Sequence, residues 1–425
     1  SYEITALILF LILTPVNSID SAVIFLIAGV ISMGSKYLLV INKKHIFNPA
    51  AFSLVLIGLM GSGQAEWWVG NRFMFPLVLI VGLLIVRKTR RFHLLISFLI
   101  VSITTTLLFA ALNKTSPLTI LPLIVTSYPL LFLGTVMLTE PITLPPSKKL
   151  QMIYGTIVGV LSGVQFNYGI IFATPELALV IGNIFSYSVS FRRRLILTLK
   201  EKVQISSNIY EFIFSSNSKF PYIPGQYMEW TLGHKNPDSR GIRRYFTLAS
   251  SPAEDVIRVG IRIDPEHSSS FKKTLLDLKK GEKIYAGQLA GDFVLPKDAH
   301  EKYVFIAGGI GITPFRSMIK NMIDKNIKHD VTLFYICSEF GEFAFSDIFD
   351  QASNVGVKTI FVCSKPNANW KGRSGRIDAK MLKEDVPDYQ NSTYYLSGPN
   401  AMVNAYKDVL SSVGIRPHRI VTDYF

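Results

Sequence analysis

The run Phe305-Ile306-Ala307-Gly308-Gly309-Ile310-Gly311-Ile312-Thr313-Pro314 reads as a buried strand, a glycine-rich turn and the start of a helix. Glycine lets backbone approach a ligand closely, and a helix N-terminus favours a phosphate. A bare tight strand-to-helix turn has the same appearance, so the run takes its meaning from its company. Upstream, Pro224-Gly225-Gln226-Tyr227 precedes Arg243-Arg244-Tyr245-Phe246-Thr247-Leu248-Ala249-Ser250-Ser251-Pro252. Gly291-Asp292-Phe293 lies before the turn, and Ser397-Gly398-Pro399 and the terminal Phe425 lie after it.

Other chemistry is scarce. The two cysteines, Cys337 and Cys363, sit in the apolar contexts FYICSE and IFVCSK. An iron–sulfur cluster needs about four ligands, so the chain cannot hold one alone, and both read as buried structural thiols. Residues 1–191 contain only His45 and His93. Two stacked haems would need about four axial ligands. No metal centre is expected.

The elements that must carry these residues fall into two classes. Apolar residues make up 49% of the 425 and charged residues only 17%, below the roughly 25% charged content of a soluble protein. Residues 1–191 hold five acids and eleven Lys/Arg, leaving 25 acids and 33 bases for 192–425. A single globular enzyme, a disordered chain and a disulfide-rich secreted scaffold are excluded. Although the net charge is +14, the bases of the first part sit at the ends of apolar runs. That suggests membrane topology rather than nucleic-acid binding.

Those runs lie at about 4–14, 19–40, 46–60, 73–86, 92–112, 119–138, 151–165 and 170–190. If each crosses a bilayer, the alternate connections at 41–45, 87–91, 139–150 and 192–194 hold eleven Lys/Arg. The opposite set holds only Arg72 and Lys114. The positive side faces the cytoplasm. Eight crossings are expected, with the C-terminal half in the cytoplasm. Runs 46–60 and 73–86 are short against the roughly 20 residues that a straight span needs. Two polar stretches interrupt this half. In HIFNPAAF (45–52), Asn48-Pro49 opens a helix and serves either as a plain N-cap or as donors toward an anion or polar ring. In MLTEPITLPPSKK (137–149), Thr139 and Glu140 stand in a stiff loop that is either a rigid connector or part of a site.

From 195 the pattern becomes short and alternating. Strands are expected at 195–204, 209–216, 226–232, 244–249, 256–263 and 283–289, an antiparallel barrel. From 303 strands alternate with helices near 314–325, 346–353, 378–383 and 399–412, a doubly wound parallel sheet. The expected organisation is multi-domain. A polytopic α-helical membrane domain (1–191) precedes an antiparallel β-barrel domain (192–298) and a doubly wound α/β domain (299–425).

Two resemblances follow from these motifs. In order and spacing, the motifs of 195–425 closely resemble the ferredoxin–NADP reductase superfamily, in which the barrel binds FAD and the second domain NAD(P)H. The resemblance implies that Arg244 pairs with the FAD pyrophosphate, that Phe246 stacks on the isoalloxazine, and that Thr247 hydrogen-bonds near its N5. Ser250 would lie on the same edge, and Tyr245 and Arg262 join the cofactor-binding set. Ser269 and Ser270 match the second phosphate-binding turn, without the usual Gly, and also suit a simple helix N-cap. Gly308, Gly309, Gly311, Thr313, Pro314, Gly398 and Pro399 would hold the pyridine nucleotide. Ser397 stands where many relatives carry a Cys. Phe425 either shields the flavin or is a surface terminus. Thr247, Ser397 and Phe425 form the expected catalytic set. Ser338 and Glu339 point toward NADH, while Lys365, Lys371 and Arg373 could receive a 2′-phosphate; NADH is favoured.

The second resemblance covers about residues 30–190. NPAAF, the Trp67-Trp68 loop and MLTEPIT…IYGTIVGVLSG look like the D subunit of Rnf-type complexes and the B subunit of sodium-pumping NADH:quinone oxidoreductases. This implies a flavin in the membrane, FMN or riboflavin, with Asn48, Thr139 and Glu140 as binding residues. The family's Thr-Asp-Pro reads Thr139-Glu140-Pro141. Its Ser-Gly-Ala-Thr attachment motif is absent, with only Thr115 in NKTSPLT nearby, so a non-covalent flavin is expected.

Together these imply a membrane-bound oxidoreductase of the cell membrane. Cytoplasmic NAD(P)H would give hydride to FAD, and electrons would pass to the membrane flavin. From there they would reach a quinone, a flavin or an extracytoplasmic redox protein. The lipid bilayer is an expected partner and nucleic acid is not; the oligomeric state is open. The alternative is a membrane transporter or ion-translocating module coupled to a cytoplasmic flavin reductase.

Overall fold

A computed structural model of the chain describes residues 2–41, 44–61, 65–126, 129–165, 167–169, 171–191, 193–264, 266–296 and 301–424. Two compact units divide it, Ser1–Arg194 and Leu195–Phe425.

The first unit is helical. Its helices run Tyr2–Ile12, Ile19–Leu38, Pro49–Leu59, Phe75–Thr89, Phe92–Leu112, Pro117–Thr126, Lys148–Gly163 and Pro175–Val189. Caps place several of the starts. The Ser18 and Ser21 side chains form a capping box at Ile19. Asn48 accepts from the Ala51 amide at 3.0 Å, with Pro49 at the first position. The apolar run 119–138 is not one helix. Past Pro117–Thr126, a short helix at Leu130–Phe132 passes into a π-helical turn at Leu133–Met137. Among the described residues, Ile19–Leu38 and Phe92–Leu112 have the length and hydropathy to cross a bilayer. Those two helices leave Leu26, Val30, Ile96, Ile100 and Leu108 exposed.

The inner packing of this unit depends on missing side chains. Gly155, Gly159 and Gly163 lie four residues apart on Lys148–Gly163 and face Phe92–Leu112. A Cβ on Gly159 would stand 2.9 Å from the Phe98 carbonyl oxygen, so the two backbones approach closely. Gly182 is likewise bare against Val158 and Tyr154.

The second unit contains two six-stranded sheets. In the antiparallel sheet the strands lie in the order Arg243–Thr247, Tyr227–Thr231, Lys283–Ala290, Leu195–Gln204, Ile209–Ser216, Ile257–Arg262. The six expected strands are all present. A bond from the Ala249 amide to the Arg258 carbonyl (2.8 Å) brings the segment leaving one edge strand to the opposite edge strand, curling the sheet. Alternation sets the inward face: Leu195, Leu197 and Leu199 are buried along one strand, Met228 and Trp230 along another.

The second sheet is wholly parallel, ordered Arg373–Ser374, Val357–Cys363, Asp330–Cys337, Lys302–Gly308, Thr393–Gly398, Ile420–Tyr424. Tyr303 to Ala307 are buried without a break, as befits a central strand with helices on both faces. Winding runs outward from Lys302–Gly308 in both directions. The direction therefore switches between that strand and Thr393–Gly398.

We expect Gly159→Leu to unseat the contact between Lys148–Gly163 and Phe92–Leu112. Thermal unfolding monitored in detergent should then show a loss of stability of about 2 kcal/mol or more, while Gly29→Leu, at a position with open space around it, should be nearly neutral.

Candidate functional site

In an open α/β sheet the ligand crevice lies at the carboxyl ends of the strands where the winding switches. Here Gly308 and Gly309 end one switch-point strand, and Ser397, Gly398 and Pro399 end the other. The fold thus joins two motifs some ninety residues apart in sequence. A Cβ on Gly311 would overlap the Ser397 carbonyl oxygen, and one on Gly308 would overlap the Met402 sulfur. Gly309 has φ +53°, and no atom lies within 4 Å of where its Cβ would stand. Two glycines permit contact between the segments and the third leaves open space. Thr313 and Pro314 start the helix Thr313–Lys325, where the Thr313 hydroxyl donates to the Ile310 carbonyl (3.1 Å). The Ser397 hydroxyl is fully buried and lacks a hydrogen-bond partner among the described residues. A buried hydroxyl in this state has unused hydrogen-bonding capacity.

Cys337 and Cys363 are in register at the ends of neighbouring strands; both are buried and free. Burial pushes the Cys337 thiol up to about 12, so it stays protonated at neutral pH.

The barrel supplies a second set. Arg244 lies on the edge strand Arg243–Thr247. Its Nη2 pairs with Asp238 at 3.0 Å, and its Nη1 donates to the carbonyls of Arg240, Gly241 and Arg243. Its Nε is buried and unpartnered among the described residues. The guanidinium stands 5.5 Å from the ring centre of Phe271, in the first turn of Ser270–Asp277. Ser269 caps that helix by accepting from the Lys272 amide (3.4 Å), and Ser270 accepts from the Asp238 amide (3.0 Å). Arg244, Ser269 and Ser270 therefore meet at one helix start. Burial lowers the Lys272 ammonium, and the charges of Arg240, Arg244 and Arg262 lower it further. Such a concentration of positive charge suits a diphosphate.

Phe246 shares the Arg244 face, packed against Phe271 (5.8 Å) and Trp230 (6.4 Å). Tyr245 takes the opposite face and is about half exposed, edge-on to Tyr227 at 5.7 Å, with its hydroxyl donating to Glu229 (3.1 Å). Thr247 pairs across the sheet with Tyr227. Ser250 is fully buried: its hydroxyl accepts from Tyr222 (3.0 Å) and from the Arg258 amide (3.2 Å). Arg262 pairs with Glu342 of the α/β lobe at 2.9 Å. Gly225 (φ +97°) lies against the Phe293 carbonyl, so the Pro-Gly-Gln and Gly-Asp-Phe motifs also touch. Phe425 lies outside the described residues. Of the candidate 2′-phosphate cations, Arg373 is held by Asp385 through two bonds of 3.0 Å.

In the first unit the structure brings Asn48 and Glu140 together. Asn48 Nδ2 donates to Glu140 Oε2 at 2.8 Å, and the Asn48 amide donates to Asn183 Oδ1 at 2.7 Å. Asn183 Nδ2 in turn donates to the Tyr154 hydroxyl at 2.9 Å. Thr139 is buried, and its hydroxyl donates to the Thr135 carbonyl at 2.6 Å. Arg91 donates to the Thr139 carbonyl. A buried carboxylate, Glu176, accepts from the Trp67 indole at 3.1 Å. Sequence reading passed over Asn183 and Tyr154. The signal available was an amide and a phenol inside otherwise apolar runs.

Residues 305–408 match the oxidoreductase NAD-binding domain family. A flavohemoprotein of Bacillus subtilis is 26% identical over 236 residues, 53% of this chain and 58% of that protein. One component of the Na(+)-translocating NADH-quinone reductase of Psychrobacter cryohalolentis is 28% identical over 197 residues, 44% of this chain and 46% of that protein. Among solved structures, the flavohemoglobin of Malassezia yamatoensis with bound FAD and heme aligns with a TM-score of 0.50 at 22% identity, covering 59% of this chain and 65% of that one. The chain spans little more than half the length of the curated relatives it matches. The C-terminal unit has the ferredoxin reductase-like FAD/NAD-binding fold, and the oxidoreductase NAD-binding domain match lies within it.

Gly311→Ala places a methyl where the Ser397 carbonyl stands. We expect it to separate the two strand ends and raise the NADH dissociation constant at least about tenfold; titration calorimetry of the full chain checks this.

Proposed function

We propose that the chain oxidises NAD(P)H on its C-terminal unit and delivers the electrons to a second flavin held by a membrane-embedded N-terminal unit. From there they pass to a quinone, a flavin or a redox protein in the membrane or beyond it. The observation that carries the reading is the convergence at the switch point: Gly308, Gly309, Gly311 and Ser397 are brought together in the same unit as the Arg244–Ser269–Ser270 cluster. A bound FAD supplies hydride acceptance and release of electrons one at a time.

The chain's own residues hold and orient. The glycine turn and the first turn of Thr313–Lys325 receive the dinucleotide phosphates. The Ser397 hydroxyl offers a polar contact beside the nicotinamide. Arg244 and the start of Ser270–Asp277 take the FAD pyrophosphate, and Phe246 and Thr247 line the flavin. NADH is the preferred donor, since Arg373 is already neutralised by Asp385 and Glu339 disfavours a 2′-phosphate.

For the N-terminal unit, the exposed apolar faces of Ile19–Leu38 and Phe92–Leu112 support a bilayer, and the charge asymmetry of the connections supports a cytoplasmic C-terminal unit. The multi-pass arrangement, the membrane flavin and its contacts at Asn48, Thr139 and Glu140 are parts of the proposal. The chain Glu140–Asn48–Asn183–Tyr154 favours a second reading, because ionisable groups buried within a membrane unit mark ion or proton paths as readily as cofactors. On that reading the N-terminal unit translocates ions and the reductase drives it.

Two experiments test these readings. Arg244→Ala removes the charge-assisted contact to the pyrophosphate. FAD retained after gel filtration, measured by absorbance, should fall at least about tenfold; stoichiometric FAD in the variant refutes the assignment. In sealed vesicles that enclose an impermeant redox dye, external NADH should reduce the dye. Flavin bleaching with an unchanged dye supports the ion-translocating reading instead.

A further inference from the structure

The helix that starts at the glycine turn also grips the loop that leaves the flavin strand. Arg316, two residues after Pro314, is 3% exposed. Its Nη1 donates to the Ala249 carbonyl at 2.7 Å and to Glu254 Oε2 at 2.8 Å, and its Nη2 reaches Glu254 Oε1 at 3.4 Å. The next residue, Ser317, donates its hydroxyl to the Ser250 carbonyl at 2.6 Å. Two consecutive side chains of the helix thus hold two consecutive carbonyls of the loop. Glu254 also accepts from the Ser251 amide at 2.7 Å and from Arg258 Nε at 2.9 Å. Arg258 continues to Glu211 at 3.0 Å. The Phe345 ring covers the guanidinium at 5.4 Å, and Phe345 holds a left-handed backbone (φ +61°) to place it there.

The loop begins one residue after Thr247, and the helix begins one residue after Ile312. Any shift between loop and helix therefore shifts the flavin strand against the nucleotide turn. A bare glycine tightens the same seam: a Cβ on Gly260 of the barrel would stand 3.0 Å from Thr313 Cγ2 and 3.2 Å from Ile310 Cδ1. Burial raises the Glu254 carboxyl, but Arg316, the Ser251 amide and the Arg258 charge together outweigh it and hold Glu254 below the ordinary value. The pair is therefore ionised, and such a buried pair holds its geometry firmly because either partner alone is costly.

We propose that Arg316 is a positioning residue: through Ala249 and Glu254 it sets the register between the nucleotide turn and the flavin strand, and so the rate of hydride transfer rather than the affinity for either cofactor. The proposal rests on the reductase reading above. A lysine keeps the charge but cannot span a carbonyl and a carboxylate with a planar fork. Arg316→Lys should therefore lie between wild type and Arg316→Met.

The test uses the full-length chain in detergent. The first readout is amide hydrogen exchange of residues 248–254 in FAD-free protein. It should speed up on the order of tenfold in Arg316→Met and less in Arg316→Lys. The second is stopped-flow bleaching of the FAD-loaded protein by NADH. Its limiting rate should fall on the order of 10- to 100-fold with half-saturation within about threefold of wild type. An isotope effect from NADH deuterated at the transferring position should become more fully expressed. Should Arg316→Met fail to fold, Glu254→Gln and Arg316→Lys give the same two readouts. A limiting rate within about twofold of wild type overturns the proposal even if exchange quickens, because the clamp then serves folding alone. Unchanged exchange overturns it as well. A wild-type chain that neither NADH nor NADPH bleaches refutes the reductase reading, and the proposal falls with it.

Discussion

A parallel sheet wound outward from one central strand must leave a crevice where its direction of winding changes. In this chain the crevice depends on backbone approaching backbone where no side chain stands. Gly311 lies against the Ser397 carbonyl, and Gly308 against Met402. If the two strand ends were parted, the nucleotide turn would lose its floor and the helix Thr313–Lys325 its direction. That helix carries the consequence outward. Its first turn faces the crevice, and its second grips the barrel through Arg316 and Ser317. One short stretch of backbone therefore builds the proposed dinucleotide crevice and helps hold the two sheets of the unit to each other.

Charge in this unit is divided between holding and waiting. Glu254, Arg258, Glu211 and Arg316 are buried or half-buried and pair with one another, although Arg316 Nε and one Glu211 oxygen have no partner among the described residues. The cations around the start of Ser270–Asp277 are arranged differently. Arg244 is folded onto Asp238 and nearby carbonyls with its Nε left over, while Lys272 feels three arginines. A cluster that repels itself in this way gains stability from an anion of matching size.

The helical unit follows other rules. One of its close helix contacts is made by glycines spaced four apart, as where little hydrophobic drive distinguishes one apolar neighbour from another. Its polar groups are drawn inward into pairs: Asn48 with Glu140 and Asn183, Trp67 with Glu176. Asn48 is both the cap its sequence suggested and the centre of a polar chain through Glu140 and Asn183.

Periodicity alone settled a good deal: six short alternating strands, then strands alternating with helices, and an apolar half before them. These follow from local rules of two and 3.6 residues that need no distant partner. The glycine turn and the Arg244 strand were also legible, because their backbone and charge requirements are written in adjacent residues. Tertiary structure decided what depends on pairs far apart in the chain. Ser250 is buried, with Tyr222 and Arg258 converging on its hydroxyl. Arg262 turned to Glu342, eighty residues away. The run 119–138 divided, with Pro129 capping the second segment. Arg316 looked like an ordinary helical arginine until the fold placed a carboxylate and a carbonyl against it. Short-range sterics and patterning are properties of a segment; which buried charge meets which partner is a property of the closed chain.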